Sequence, residues 1–220
     1  MTTTTTNLER LTADLKHAPS ASSTLDVLWV LYDRILRITP ETADAPDRDR
    51  FLLSKGHGPA SYYAVLAAKG FIPDEWLDGM SERDNRLGGH PDRTMIPGVE
   101  IGTGSLGHGL GIAVGTALGL RAQGFLDSRV FVLLGDAELD EGSNHEAIAY
   151  AAAARIPLTA IVVDNQSATY GWPGGIAARF IGWSTSIVDG HDRAAIERAL
   201  SKRDRDRPHV VIATVEKKEY

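Results

Sequence analysis

The chain has 220 residues, 43% of them hydrophobic and 24% charged, a balance that excludes disorder and a fibrous class and suits one core rather than two. A formal charge of −6 argues against wholesale binding to a polyanion such as DNA, though backbone N–H groups or a metal could still hold a phosphate locally. The complete lack of cysteine removes disulfides, thiolate zinc sites and thiol nucleophiles, so any metal must take oxygen or imidazole ligands.

The opening "MTTTTTNLERL" has no apolar core behind a basic stretch, and no window reaches 18 uninterrupted apolar residues. The sequence therefore predicts neither a signal peptide nor a membrane span, and the cytoplasm is the default location. Residues 1–6 read as a Thr-rich disordered tail, and "NLERLTADLKHA" opens a first helix capped by Asn7. "STLDVLWVLYDRILRI" repeats apolar residues at a period near 3.6 behind Ser/Thr and predicts a buried helix. After a polar loop, "RFLLSKGHG" reads as a short strand running into a Gly-rich turn, and "PASYYAVLAAKG" as a helix with Pro59 in its first turn. A glycine-rich stretch follows, with a helix expected from Leu106 to Arg121 whose Gly and Ala let backbone approach something closely. "RVFVLLGDA" is a strand apolar on both faces, "SNHEAIAYAAAAR" a helix, "PLTAIVVDN" a second doubly buried strand, and "STSIVDGHD" and "HVVIATV" two further strands separated by the helix "DRAAIERALSKR". Strands alternating with helices predict an α/β, doubly wound, mainly parallel sheet with helices on both faces, forming one domain over residues 1–220.

In such sheets ligands bind beyond the carboxyl ends of the strands. Three strand ends carry unusual residues: "SKGHG" at 54–58, "GDA" at 135–137 and "DNQS" at 164–167. Asp136 and Asn165 each stand one or two residues past a buried strand, where a carboxylate and an amide oxygen can share one hard cation such as Mg²⁺. The competing reading is that Asp136 caps the next helix and Asn165 turns the chain.

The residues around this pair resemble the thiamine-diphosphate enzymes of the transketolase type, whose cofactor motif is G-D-G followed at a set distance by N. Gly135-Asp136-Ala137 is separated by 27 residues from Asn165, with alanine replacing the last motif glycine. The resemblance continues through "LSKGHG", "GGHPD", "PGVEIGTGSLGHGLGIAVG", "EGSNHEA" and "VDGHD", covering roughly residues 25–215 in the family's order. It implies the thiamine-diphosphate-binding fold, with Asp136, Asn165 and the main-chain carbonyl of Ser167 as ligands of Mg²⁺ or another divalent cation. It places His57 beside the diphosphate, His90 near the thiazolium and donor sugar, both as catalytic histidines, and Gly104, Ser105 and Leu106 beside the aminopyrimidine. Gly135, Ala137 and Glu138 join the cofactor set, Glu138 also as a candidate near the subunit contact. Histidines that pass protons near neutral pH suit such a role. The other acids, Asp140 and Glu141, read with Glu138 as helix-end or partner-surface residues, and Glu146 as surface or interface. Trp172 and Trp183 are expected to pack with Tyr170, and "TYGWPGG" to cover the diphosphate.

By the same resemblance, the glutamate that activates the cofactor belongs to a separate pyrimidine-binding domain, whereas this chain stops at Tyr220, just after the last strand. The expectation is the N-terminal subunit of a two-component transketolase, moving a two-carbon ketol unit from a ketose to an aldehyde acceptor. It would act only with a C-terminal pyrimidine-binding subunit, forming a heterotetramer of two copies of each, on small sugars, without nucleic acid or membrane partners. The family's G-H-P-G block appears as "KHAPS", keeping His17. Alternatives are a subunit of another thiamine enzyme, such as the E1 type of 2-oxo-acid dehydrogenase or an acyl-transfer enzyme, and a degenerate subunit that binds without catalysing. Ala137 is expected to be tolerated if its φ is negative.

Overall fold

The computed structural model describes residues 18–57, 59–80, 82, 84–168 and 171–217. The Thr-rich tail, the helix expected from Asn7, His17 and Tyr170 lie outside these residues. Five strands form one sheet: β1 (Arg50–Leu53), β2 (Val130–Gly135), β3 (Thr159–Asp164), β4 (Ser184–Asp189) and β5 (His209–Thr214). All pair in parallel in the order β1-β2-β3-β5-β4. The helices are α1 (Ala18–Val30, continued by a π-turn over Leu31–Ile35), α2 (Pro59–Ala68), α3 (His108–Ala122), α4 (Gly142–Ala153) and α5 (Arg193–Leu200).

The near-continuous apolar strands predict burial on both faces, and the two-residue alternation of side chains sorts them into two cores. Phe51, Leu53, Phe131, Leu133, Ile161, Val163, Val211 and Ala213 pack with Leu28 and Leu31, with Tyr62 and Tyr63 of α2, and with Ile196 and Leu200 of α5. Leu52, Val132, Leu134, Ala160, Val162, Val210 and Ile212 pack on the other face with Leu110 and Ala113 of α3 and Ile148 and Ala151 of α4. β4 differs from the central strands: it pairs only with β5 and alternates half-buried with exposed positions, leaving Ile187 67% exposed. It is an edge strand, which explains its Ser/Thr-rich half.

Parallel pairing brings the carboxyl ends of β1, β2 and β3 side by side. The register pairs Leu53 with Leu133 and Gly135 with Val163, so the segments after Leu53, Gly135 and Asp164 emerge on one rim of the sheet. α3 begins at His108, two residues later than the sequence predicts, because Gly107 holds a left-handed conformation at its cap (φ 82°). Among the described residues no helix is long and apolar enough to cross a membrane.

Candidate functional site

A cleft opens on that rim, lined by Lys55, Gly56 and His57 after β1, Gly135 to Glu138 after β2, Asn165 and Ser167 after β3, and Leu106 ahead of α3. Three separate strand ends and the entrance to α3 therefore meet where open parallel sheets place their ligands. Of the residues singled out from the sequence, His57, Leu106, Gly135, Asp136, Ala137, Glu138, Asn165 and Ser167 all border it. His90 sits one step outside: its ring centroid is 6.5 Å from that of His57. A Cβ placed on Gly104, whose φ is +111°, would come within 3.2 Å of the His90 ring. Ser105 Oγ is held at 2.9 Å by His108 Nδ1.

Asp136 is buried, and its carboxylate does not cap a helix. It reaches across to the loop after β3, accepting from Ser167 N at 2.6 Å, Ser167 Oγ at 2.7 Å and Ala168 N at 3.1 Å. Gln166 stands between the two predicted ligands with φ +56°, a left-handed conformation uncommon for a side-chain-bearing residue. That turn points two successive N–H groups at the carboxylate. Asn165 is buried and its Oδ1 is an acceptor without a hydrogen-bond partner. A buried, unpaired amide oxygen costs about 1–3 kcal/mol, and this one lines the same cleft as the Asp136 carboxylate.

The donor set fits a hard divalent ion. A carboxylate has about four lone-pair positions; three donors occupy Asp136, leaving room for one further contact. Asn165 Oδ1 is a neutral oxygen, of the kind that oxygen-preferring cations take, and Ser167 lines the same cleft. Among the described residues no group of three His, Asp or Glu side chains could hold a metal, so a cation here would rest on one carboxylate with amide and carbonyl oxygens.

Glu138 overturns the expectation of a helix-end or surface acid. It is 2% exposed and accepts from Ser54 Oγ, from Gly107 N at 3.0 Å and from Gly135 N at 3.3 Å. Burial pushes its carboxyl above the usual range, while the Ser54 hydroxyl and the two main-chain donors act against that rise. The side chain locks the end of β1, the end of β2 and the approach to α3 into one knot. Gly109 completes it: its N–H donates to Ser54 Oγ at 3.1 Å, and a Cβ there would overlap the Ser54 side chain. Ser54 and Lys55 stand inside "LSKGHG" in the sequence without an assigned role; the only signal was their place between a strand and a Gly-rich turn.

Ala137 does not adopt positive φ and begins a 3₁₀ turn, so the backbone accepts alanine there. Asp140 pairs with Arg179 at 2.7 Å, whereas Glu141 and Glu146 are exposed. Trp183 is buried and donates to Ile148 O at 3.0 Å. Trp172, 43% exposed, stacks on His145 with ring centroids 5.2 Å apart, beneath Arg179.

Residues 11–216 match the family model described as the transketolase thiamine diphosphate binding domain. The chain belongs to this family. Among its relatives, a protein named ferredoxin fas2 from Rhodococcoides fascians is 56% identical over 211 residues, covering 94% of this chain and 69% of its own length. A protein named as one subunit of an apulose-4-phosphate transketolase, from Actinobacillus succinogenes, is 36% identical, covering 91% of this chain and 76% of its own. The crystal structure of transketolase from Campylobacter jejuni superposes with a TM-score of 0.83 at 28% identity, over 96% of this chain and 37% of that one. The chain thus spans about a third of that transketolase chain.

Proposed function

We propose that the protein is the diphosphate-binding subunit of a two-component transketolase, folded as one domain and working in the cytoplasm with a pyrimidine-binding partner, as two copies of each. The observation that carries this reading is the unpartnered, buried Asn165 Oδ1 beside Asp136 in the cleft built from three strand ends. Two relatives named as subunits of apulose-4-phosphate transketolases match this chain over about nine-tenths of its length. When bound, thiamine diphosphate supplies the carbon nucleophile that accepts a two-carbon ketol unit from a ketose and passes it to an aldehyde.

In this reading Asp136, Asn165 and the Ser167 carbonyl hold Mg²⁺, and Lys55 and His57 face the diphosphate. Gly104, Ser105 and Leu106 border the pyrimidine, while Glu138 fixes the two strand ends that carry the ligands. His90, against Gly104, is placed to move protons on a hydroxylated donor. Leu106, Ile112 of α3 and Tyr150 of α4, between 44% and 53% exposed, offer apolar surface beside the cleft for the partner. Calorimetric titration with thiamine diphosphate tests the metal site. Binding that requires Mg²⁺ and falls at least about tenfold in Asp136→Ala supports it, and metal-independent binding of equal strength in both proteins would sink it.

A second reading is favoured by one observation, the ferredoxin name of the relative at 56% identity. Iron–sulfur clusters are held by cysteine thiolates, and this chain has no cysteine, so a cluster would have to sit on another segment or another protein. In that reading the same cleft serves a 2-oxo-acid reaction that delivers electrons to an iron–sulfur carrier. Reduction of a one-electron dye by the reconstituted two-subunit protein with a 2-oxo acid, and no ketol transfer between sugars, would decide for it.

A further inference from the structure

The opposite rim of the sheet, where the strands begin, carries a second cleft that the cofactor reading leaves unused. Its lining includes Arg129, Lys202, Arg203, Arg205, Arg207 and His209. Five cations against the single lining carboxylate of Asp204 make it strongly positive in a chain of net charge −6. Asp127, bonded to Arg203 at 3.2 Å and Arg205 at 2.8 Å, offsets only part of this.

The cations are held in place by neutral groups as well as by acids. Arg129 Nη2 donates to the carbonyls of Leu200 (2.5 Å) and Lys202 (3.1 Å), Arg203 Nη2 to Leu126 O (2.9 Å), and Lys202 Nζ to Ser186 Oγ (2.8 Å). Each of these arginines, and Arg205 through its own Nη2, commits one nitrogen of a guanidinium that carries five N–H donors. Carbonyl partners orient a guanidinium without cancelling its charge; Arg203 and Arg205 share Asp127, and Arg207 Nε lies 3.5 Å from Asp204, so five cations face two carboxylates and the field of the cleft stays positive.

His209 sits at its floor, 4% exposed, with Nδ1 bonded to Ser184 Oγ at 2.7 Å and a buried Nε2 that has no partner. Burial and the neighbouring Lys202, Arg207 and Arg129 push its imidazole down to about 4, against a smaller opposing effect of Ser184. A neutral ring is thereby kept under a ring of cations. The adjoining hollow is lined by Leu120, Phe125, Leu126, Val130 and Pro157, and shares Leu126, Ser128, Val130, Pro157 and Arg205 with the basic cleft.

We infer that this rim is a second ligand site for a nucleotide, with the phosphates on Arg129, Lys202, Arg205 and Arg207 and the base in the apolar hollow. Arginine forks match phosphate oxygens in pairs. A bare phosphate or a sugar phosphate would satisfy the cations but leave the apolar hollow empty, whereas a nucleotide carries both the charge and a flat ring. The site is separate from the cofactor cleft and does not depend on its assignment.

ADP, inorganic phosphate and adenosine, each titrated into the full chain without divalent metal, test the site. Wild type and Asp136→Ala should bind ADP equally, and more tightly than either phosphate or adenosine. Arg205→Glu and, separately, Arg207→Gln, both at exposed side chains, should weaken ADP at least about tenfold. The His209 ring protons, followed by NMR against pH, should titrate at higher pH with ADP bound, because phosphate cancels the repulsion from Lys202, Arg207 and Arg129. Loss of ADP binding in Asp136→Ala would assign the ligand to the cofactor cleft and overturn the proposal. Indifference to both arginine variants, or equal affinities for phosphate and ADP, would overturn it too.

Discussion

At the residue scale, the proposed cation site combines two features that a stability-driven sequence would avoid, a buried amide oxygen without a partner among the described residues and a left-handed Gln166. Asn165→Ala removes the orphaned acceptor, so its stability should change by less than about 1 kcal/mol in urea. Its affinity for thiamine diphosphate with Mg²⁺ should fall at least about tenfold. Parallel losses of stability and affinity would instead mark Asn165 as a turn residue. Gln166→Val places a β-branched side chain at φ +56° and should cost about 1–3 kcal/mol. Gln166→Gly should retain binding, because only the backbone of this residue aims Ser167 N and Ala168 N at Asp136. The sequence made Asp136 and Asn165 visible through their spacing and positions past buried strands. It could not show Glu138 as a buried tie: its three donors come from Ser54, Gly107 and Gly135, and two of those lie far from it along the chain. In sequence, Glu138 is one acid among several ahead of a helix.

At the scale of elements, strand and helix identities were legible because hydrophobic period and length agree for each, and the buried positions of β2, β3 and β5 are apolar except for Thr159 and His209 at the first residues of β3 and β5. What the sequence could not carry is strand order: the placement of β5 inside β4 is settled by which strand can be covered on both faces. The close approach of α3 to β1 is a consequence of Gly109. Gly109→Ala should cost about 1–3 kcal/mol by overpacking against Ser54, read as a lower thermal midpoint. A polar clasp joins α1, the turn before α5 and the segment after β5: His191 lies 3.0 Å from Asp26 and 2.9 Å from Glu216. Asp26, then Glu216, raises the His191 pKa, and His191 in turn lowers that of Glu216. The histidine's share of stability is therefore complete below its unfolded value near 6.5 and is lost as pH rises through the higher folded value. The glutamate's share is present above its unfolded value and disappears as pH falls through the lower folded one. Because these groups are substantially exposed, the effect should stay below about 1 kcal/mol. Thermal midpoints of wild type and His191→Gln should differ most near pH 6 and converge as pH rises through the raised folded value; a constant difference would mean that packing, not charge, is what the histidine contributes.

At the scale of the whole molecule, the two rims of one sheet differ in character. The rim where strands end presents main-chain donors, the two buried carboxylates of Asp136 and Glu138 and apolar residues on the neighbouring helices; the rim where they begin presents arginines. On the first rim, α3 and α4 bury Leu110, Ala113, Ile148 and Ala151 against the sheet and turn Ile112 and Tyr150 outward. Large side chains left 44% and 53% exposed, beside small residues at Gly111 and Gly115 whose added Cβ would meet nothing within 4 Å, form a surface that another protein could approach closely. The proposed pyrimidine-binding partner must reach the mouth of the same cleft, which Leu106 borders. Ile112→Glu and Tyr150→Glu add charge to side chains that do not contribute to either core, so each variant should fold with a thermal midpoint close to wild type. A charge buried without a partner in an interface is costly, so both should fail to co-sediment with the partner in analytical ultracentrifugation and should lose ketol transfer when the two subunits are mixed. Binding of thiamine diphosphate and Mg²⁺ to Asp136 and Asn165 should persist in weakened form in the isolated variants. If both variants assemble and turn over normally, the partner docks elsewhere, and the exposed face of α3 and α4 has another use.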